Sequence, residues 1–167
     1  MGLISNGTTL LDAGATSSGV FSGTMILLST TTASSSATID ITSGINSTYK
    51  EYQIHFFDVH PQSGSRLGFQ ADVGTATNYA LQRLSCGGTV ETDADASATG
   101  ILTLYDPANT TFLKHFMSTM QIYNNDQSSH NSYVAGYINT TTAITRVQFK
   151  FNSGNIDSGI IKMYGIT

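Results

Sequence analysis

The sequence predicts an all-β protein: an antiparallel β-sandwich, jelly-roll-like, with an extended N-terminal arm. Three observations lead there. No window of a dozen residues keeps apolar positions at helical spacing without a Gly or a Thr/Ser cluster breaking it. Short apolar or alternating runs recur instead, ten of them between residues 23 and 167. Between those runs stand clusters of Gly, Asn, Asp, Ser or Pro, each with a turn-forming reason to be a joint.

Taken in order, the strand candidates begin with Thr24–Thr32 and Ser36–Thr42 on either side of "ASSS". Tyr49–Val59 holds "YQIHFFDV", where Tyr52, Ile54 and Phe56 point one way and Gln53, His55 and Phe57 the other. Leu67–Val73 and Asn78–Leu84 flank "VGTAT", and the loop "SCGGTVETDADASAT" leads to Gly100–Tyr105. Phe112–Tyr123 follows "DPANTT", and Ser132–Asn139 follows "NNDQSSHN". In Ile144–Asn152 the stretch "TRVQFKF" sets Val147, Phe149 and Phe151 against Arg146, Gln148 and Lys150. The last run, Ser158–Ile166, is partly apolar on both faces, so it asks for a central position or a subunit contact. Its expected neighbour is Ile144–Phe151, reached through "NSGNIDSG".

Residues 1–22 lack this alternation, which divides the chain into an arm, 1–22, and a sandwich domain, 23–167. A flexible leader is the plain reading of that segment. Against it stand Leu3, Ile4, Leu10, Leu11, Val20 and Phe21, which cost roughly 1.5–3 kcal/mol each to leave in water. An arm that docks on a neighbouring subunit accounts for them.

Composition narrows the function classes. Charged residues are 11% of the chain, against about 25% in ordinary domains. Their place is taken by 24 Thr, 20 Ser, 16 Gly and 10 Asn. Seven scattered Lys and Arg with a net charge of −4 offer no clustered basic face for nucleic acid. "MILL" at 25–28 is too short to span a bilayer, and "MGLISNGTTLLDAGA" does not resemble a secretory signal, so no membrane partner is expected. Cys86, the one cysteine, cannot form an intrachain disulfide and reads as a small residue beside a Gly-Gly turn.

Chemistry-bearing motifs are sparse. His55 and His115 fall within strands and His60 and His130 in loops, with no metal-ligand spacing between any two. Glu91, Asp93 and Asp95 alternate in a loop, but positions six and twelve from Asp93 are Ala98 and Leu104, so a calcium loop of EF-hand type is not formed. No GxSxG and no phosphate-cradling glycine pattern occurs. The expectation is therefore a non-enzymatic protein with no metal or cofactor. Tyr105, Tyr123, Tyr133 and Tyr137 lie near strand ends and are candidate glycan contacts, with core or interface packing as the alternative.

The strings "TSGINSTYKEYQIHFFDVHP" and "VAGYINTTTAITRVQFKFNSGNIDSGIIKMYGI", with the opening "GLISNGTTLLDAGA", resemble short virion structural proteins of tailed phages of marine bacteria. The similarity runs along nearly the whole chain and is weakest at Leu67–Ala98. It implies a protein made in the cytoplasm of a bacterial host and carried in the virion. It also implies partners among other virion proteins, the major capsid protein or fibre and tail components. No catalytic residues come with it. Joined to the strand reading, it leads to a capsid decoration or cement subunit, a homo-oligomer and specifically a trimer. The alternative is a tail-fibre or receptor-binding module that recognises glycans. A hydrolase using the loop carboxylates Asp93, Asp95 and Asp126 is a third reading.

Overall fold

Runs that alternate in the sequence are strands in the computed structural model. It describes the backbone of residues 3–5, 8–12 and 15–16, and residues 25–74, 80–85 and 87–167 in full. Among the described residues there is no helix. Three short strands, β1 (Leu3–Ser5), β2 (Thr8–Asp12) and β3 (Ala15–Thr16), pair antiparallel with one another. This small sheet falls in the segment read as an arm. Ten strands make the body: β4 (Met25–Ser36), β5 (Ile39–Ile41), β6 (Glu51–Pro61), β7 (Leu67–Asp72), β8 (Gln82–Arg83), β9 (Ala98–Tyr105), β10 (Lys114–Tyr123), β11 (Ser129–Ile138), β12 (Arg146–Phe151) and β13 (Ile156–Ile166). Each expected run has its counterpart, although Asn78–Leu84 is represented only by β8, part of that run lying outside the described residues.

Two antiparallel sheets face each other, one in the order β11-β10-β9-β6-β13-β4 and the other β5-β12-β7-β8. The pairs β4·β13, β5·β12, β6·β9 and β7·β8 are those produced by folding one long hairpin over on itself. That is the winding of a jelly roll. The hairpin β10–β11 is an addition, extending one sheet beyond β9.

The final strand does not pair with the run before it. β13 lies between β6 and β4, while β12 belongs to the opposite sheet with β5 and β7. The reason is the roll itself, since the connection after Phe151 crosses from one sheet to the other. A central position gives β13 neighbours on both edges and buries Ile161 and Met163.

Four phenylalanines join the layers. Phe56 of β6 meets Phe149 of β12 edge-on at 5.1 Å between ring centres, and Phe116 of β10 meets Phe69 of β7 at 5.0 Å. Phe69 and Phe149, neighbours in one sheet, stand 6.5 Å apart. The edge-to-face arrangement adds about 0.5–1.5 kcal/mol per pair beyond area burial. Gly136 on β11 lies directly opposite Phe116, and a Cβ there would come within 2.5 Å of that ring.

One end of the larger sheet is bent by irregularities in three adjacent strands. Ser35 and Asp58 have positive φ values of 46° and 50°, and Gly159 has φ 124°. The ladder between β6 and β9 shifts between Phe56 and Val59, and that between β13 and β6 shifts on either side of Ser158. A Cβ on Gly159 would sit 2.7 Å from Val59 Cα, so only glycine fits. Phe149→Ala is expected to lower unfolding free energy by about 3–5 kcal/mol, because the sheets cannot collapse fully over the gap. Gly159→Ala is expected to cost about 1–3 kcal/mol through its backbone conformation, and chemical denaturation of both variants checks the pair.

Candidate functional site

With the core occupied, each strand of the larger sheet presents its other set of side chains outward, and register aligns them in rows. One row runs His55, Ile101, Thr119, Tyr133 across β6, β9, β10 and β11. Beside it lie the rows Gln53, Thr103, Met117, Ala135 and Glu51, Tyr105, His115, Tyr137. On the far side, Thr99, Gln121 and Asn131 form a polar row. Phe57 continues the pattern to Ile160 of β13, and Tyr164 pairs with Leu27 and Ile166 with Met25 of β4.

This face is unusually apolar for a surface. Nine of the eleven large hydrophobic side chains exposed among the described residues stand on it, the others being Phe112 and Leu113 in the loop before β10. Leu27 is 53% exposed, Met117 50% and Tyr133 70%. Charge is nearly absent: among the described residues the register places Glu51 and Lys162 there, and Asp58 stands at the margin with its carboxylate 3.5 Å from the Thr99 hydroxyl. Gln53 Nε2 donates to Glu51 Oε1 at 2.8 Å, and Lys162 Nζ lies 5.5 Å from the centre of the Phe57 ring. His55 is partly covered by Tyr164, whose ring centre is 4.9 Å away, and burial pushes its imidazole below the ordinary value.

The opposite outer face is built on the usual plan. On β5, β12, β7 and β8 it carries Asp40, Gln148, Arg146, Asp72, Lys150 and Arg83. Arg146 Nη2 pairs with Asp72 Oδ2 at 2.6 Å, and Gln148 donates to Asp40 at 2.7 Å. One face of the sandwich is hydrated and charged; the other is apolar and nearly neutral.

Shallow concavities cross the apolar face. A groove of about 340 Å³ is lined by His55, Phe57, Thr99, Ile101, Thr119, Gln121 and Asn131. A second of about 380 Å³, sharing Ile101 and Thr119, is lined also by Gln53, Thr103, Tyr105, Met117 and Tyr133. The small Thr side chains make the floor; His55 and Phe57 on one side and the tyrosines on the other make the walls.

All four tyrosines singled out in the sequence come to this face. Tyr105 and Tyr137 flank His115, Tyr133 lies opposite Thr119, and Tyr123 stands at the far end of β10. The Tyr105 hydroxyl is 3.6 Å from Met117 Sδ. Of the arm residues, Leu3, Ile4, Leu10 and Leu11 fall on β1 and β2, whose side chains lie outside the described residues, as do Val20 and Phe21 altogether. Cys86 lies outside them too.

The acidic loop residues do not converge. Glu91 accepts from the Thr92 N–H and hydroxyl, and the Asp93 carbonyl lies 3.2 Å from His60 Nε2. Asp95 lines a polar cavity of about 470 Å³ with Asp58, His60 and Asp157. Among the described residues no group of three or more His, Cys, Asp or Glu side chains has metal-holding geometry.

Asp126 belongs to a turn. Its carboxylate accepts from the Ser128 hydroxyl and, at 3.2 Å, from the Ser128 N–H, and these bonds hold it below the usual carboxylate range. Ser128 Oγ lies 2.8 Å from His130 Nε2, and Asp126 approaches the same nitrogen at 3.8 Å. A nucleophile relay needs the carboxylate on the other ring nitrogen. Here the serine is engaged by the aspartate.

Sequence reasoning set Phe57 opposite Phe56 and offered a subunit contact for the last run, which holds Ile160, but did not single out Ile101 and Leu27 as surface residues. Lys114 was missed altogether. It is 1% exposed, on the inner face of β10, and donates to the carbonyls of Phe112 at 2.7 Å and Thr140 at 3.3 Å. These bonds tie the loop before β10 to the loop after β11.

No protein-family model matches the chain, and no curated protein is significantly similar to it.

Burial lowers the Lys114 pKa from the ordinary 10.5. The fold therefore disfavours its charged form, and stability rises as pH climbs through the folded pKa toward the unfolded one. Relative to Lys114→Met, the unmodified protein is expected to gain stability as the pH rises toward the ordinary lysine value of 10.5. Parallel denaturation curves across that range test this; a pH-independent difference would refute it.

Proposed function

We propose that this protein is a structural subunit of a bacteriophage virion, decorating or cementing the capsid surface as a homo-oligomer. The observation that carries the reading is a surplus of apolar surface. The core is already filled by two sheets, yet Leu27, Phe57, Ile101, Met117 and Ile160 remain exposed on one outer face. An exposed apolar patch of that breadth marks a surface with a partner. The virion setting comes from the resemblance of "TSGINSTYKEYQIHFFDVHP" and the C-terminal run to phage structural proteins. The other virion proteins it joins, and the docking of residues 1–22 on them, belong to the same proposal.

Mass spectrometry of purified particles of the encoding phage is expected to find this chain at a copy number fitting a surface subunit. Deleting residues 1–22 is expected to abolish binding to particles while far-UV circular dichroism stays strand-like. Full binding by the shortened protein would remove the arm from the proposal, and absence from virions would end it.

A second reading has its own observation. Two adjoining neutral grooves, one lined by the polar row Thr99, Gln121 and Asn131 and the other by Tyr105 and Tyr133, suit the apolar face and hydroxyl rim of a sugar ring. On that reading the protein is a tail-fibre or receptor-binding module. Binding on a host-surface glycan array, lost in Gln121→Ala, would favour it.

A further inference from the structure

We infer that the outer face of the β11-β10-β9-β6-β13-β4 sheet is where copies of this chain meet, its occupant being a second copy of the same sheet face. The inference rests on the assembly reading above and names the partner of that surface.

Size is the first argument. Six strands at about 4.8 Å spacing and about ten residues long cover roughly 27 by 30 Å, or about 800 Å². A stable protein–protein interface buries about 800 Å² on each partner. The face alone is large enough.

Charge is the second. Distinct partners are selected by complementary charge patterns, and like charges brought together exclude the wrong ones. With Glu51 already bonded to Gln53 and Lys162 over Phe57, the face has no surplus of either sign with which to choose a different protein. Two copies can approach without like-charge repulsion.

Chemistry is the third. A sugar would use the tyrosines and the row at Gln121, but not Met25 and Leu27 on β4 or Ile160 on β13. Those aliphatic side chains lie on the half of the sheet away from the polar row. Sheet-on-sheet packing covers both halves at once, with side chains interdigitating as they do inside the sandwich.

The full chain is the material for the test, by size-exclusion chromatography with light scattering. The unmodified protein is expected at a multiple of 17.7 kDa, and Leu27→Glu with Ile160→Glu, or Met117→Lys alone, is expected to return it to 17.7 kDa. Both sites are exposed, and an unchanged circular dichroism spectrum would show that the monomer is folded. Nitration of Tyr137 provides a second readout, slow in the oligomer and fast in the variants. A protein that is monomeric at about 100 μM, far above the dissociation constants of stable assemblies, overturns the inference. So does an oligomer untouched by these variants, or glycan binding by the unmodified protein through the groove. A monomer still found in purified virions would defeat this inference and leave the virion reading standing.

Discussion

The contact between Phe56, Phe149, Phe69 and Phe116 is the interaction from which the other surfaces follow. In a strand, side chains alternate, so committing Phe56 inward commits His55 and Phe57 outward. The same holds along β10, where Phe116 inside obliges His115 and Met117 to face out. A slip of one residue would bury Phe57 but expose Phe56 along with Ile54 and Tyr52, which are now fully buried. Among the described residues the outer apolar side chains therefore have no intramolecular shelter. The ring stack that closes the sandwich also determines what the sandwich displays.

The two outer faces make different use of that obligation. On β5, β12, β7 and β8 the outward positions hold ion pairs and amides, which keep a surface hydrated. The larger sheet uses Leu, Ile, Met, Phe and Tyr in the equivalent positions. The hairpin β10–β11, an addition to the roll, contributes Met117, Tyr133 and Tyr137 to that face, enlarging it without altering the core pairing of β4 with β13. This asymmetry supports an assembly role.

Much of the fold was legible because its signals are local. Turn chemistry and alternation located all ten body strands, and the faces of "YQIHFFDV" and "TRVQFKF" could be read directly. Pairing was less accessible. Nothing within β13 distinguishes β12, one loop away, from β4, more than a hundred residues upstream; the choice is made by the closure of the whole roll. The four tyrosines were noticed for their chemistry, and register then placed them together. Leu27 escaped because a hydrophobic residue in a strand is ordinarily assigned to the core. Lys114 escaped because its partners are backbone carbonyls, which leave no mark in composition.

Pairing the earliest body strand with the last has a consequence for how the molecule is made. During synthesis β4, β5 and β6 emerge while β13 and β12, their neighbours in the finished sheets, have yet to be translated. Such distant pairings carry a heavy loop-closure entropy and slow the search for the native arrangement. Until the ribosome releases β13, the chain holds unpaired strands with few charges, none of them on β4, to keep nascent copies apart. Sparing use of Lys and Glu leaves the newborn polypeptide reliant on rapid completion or on chaperones.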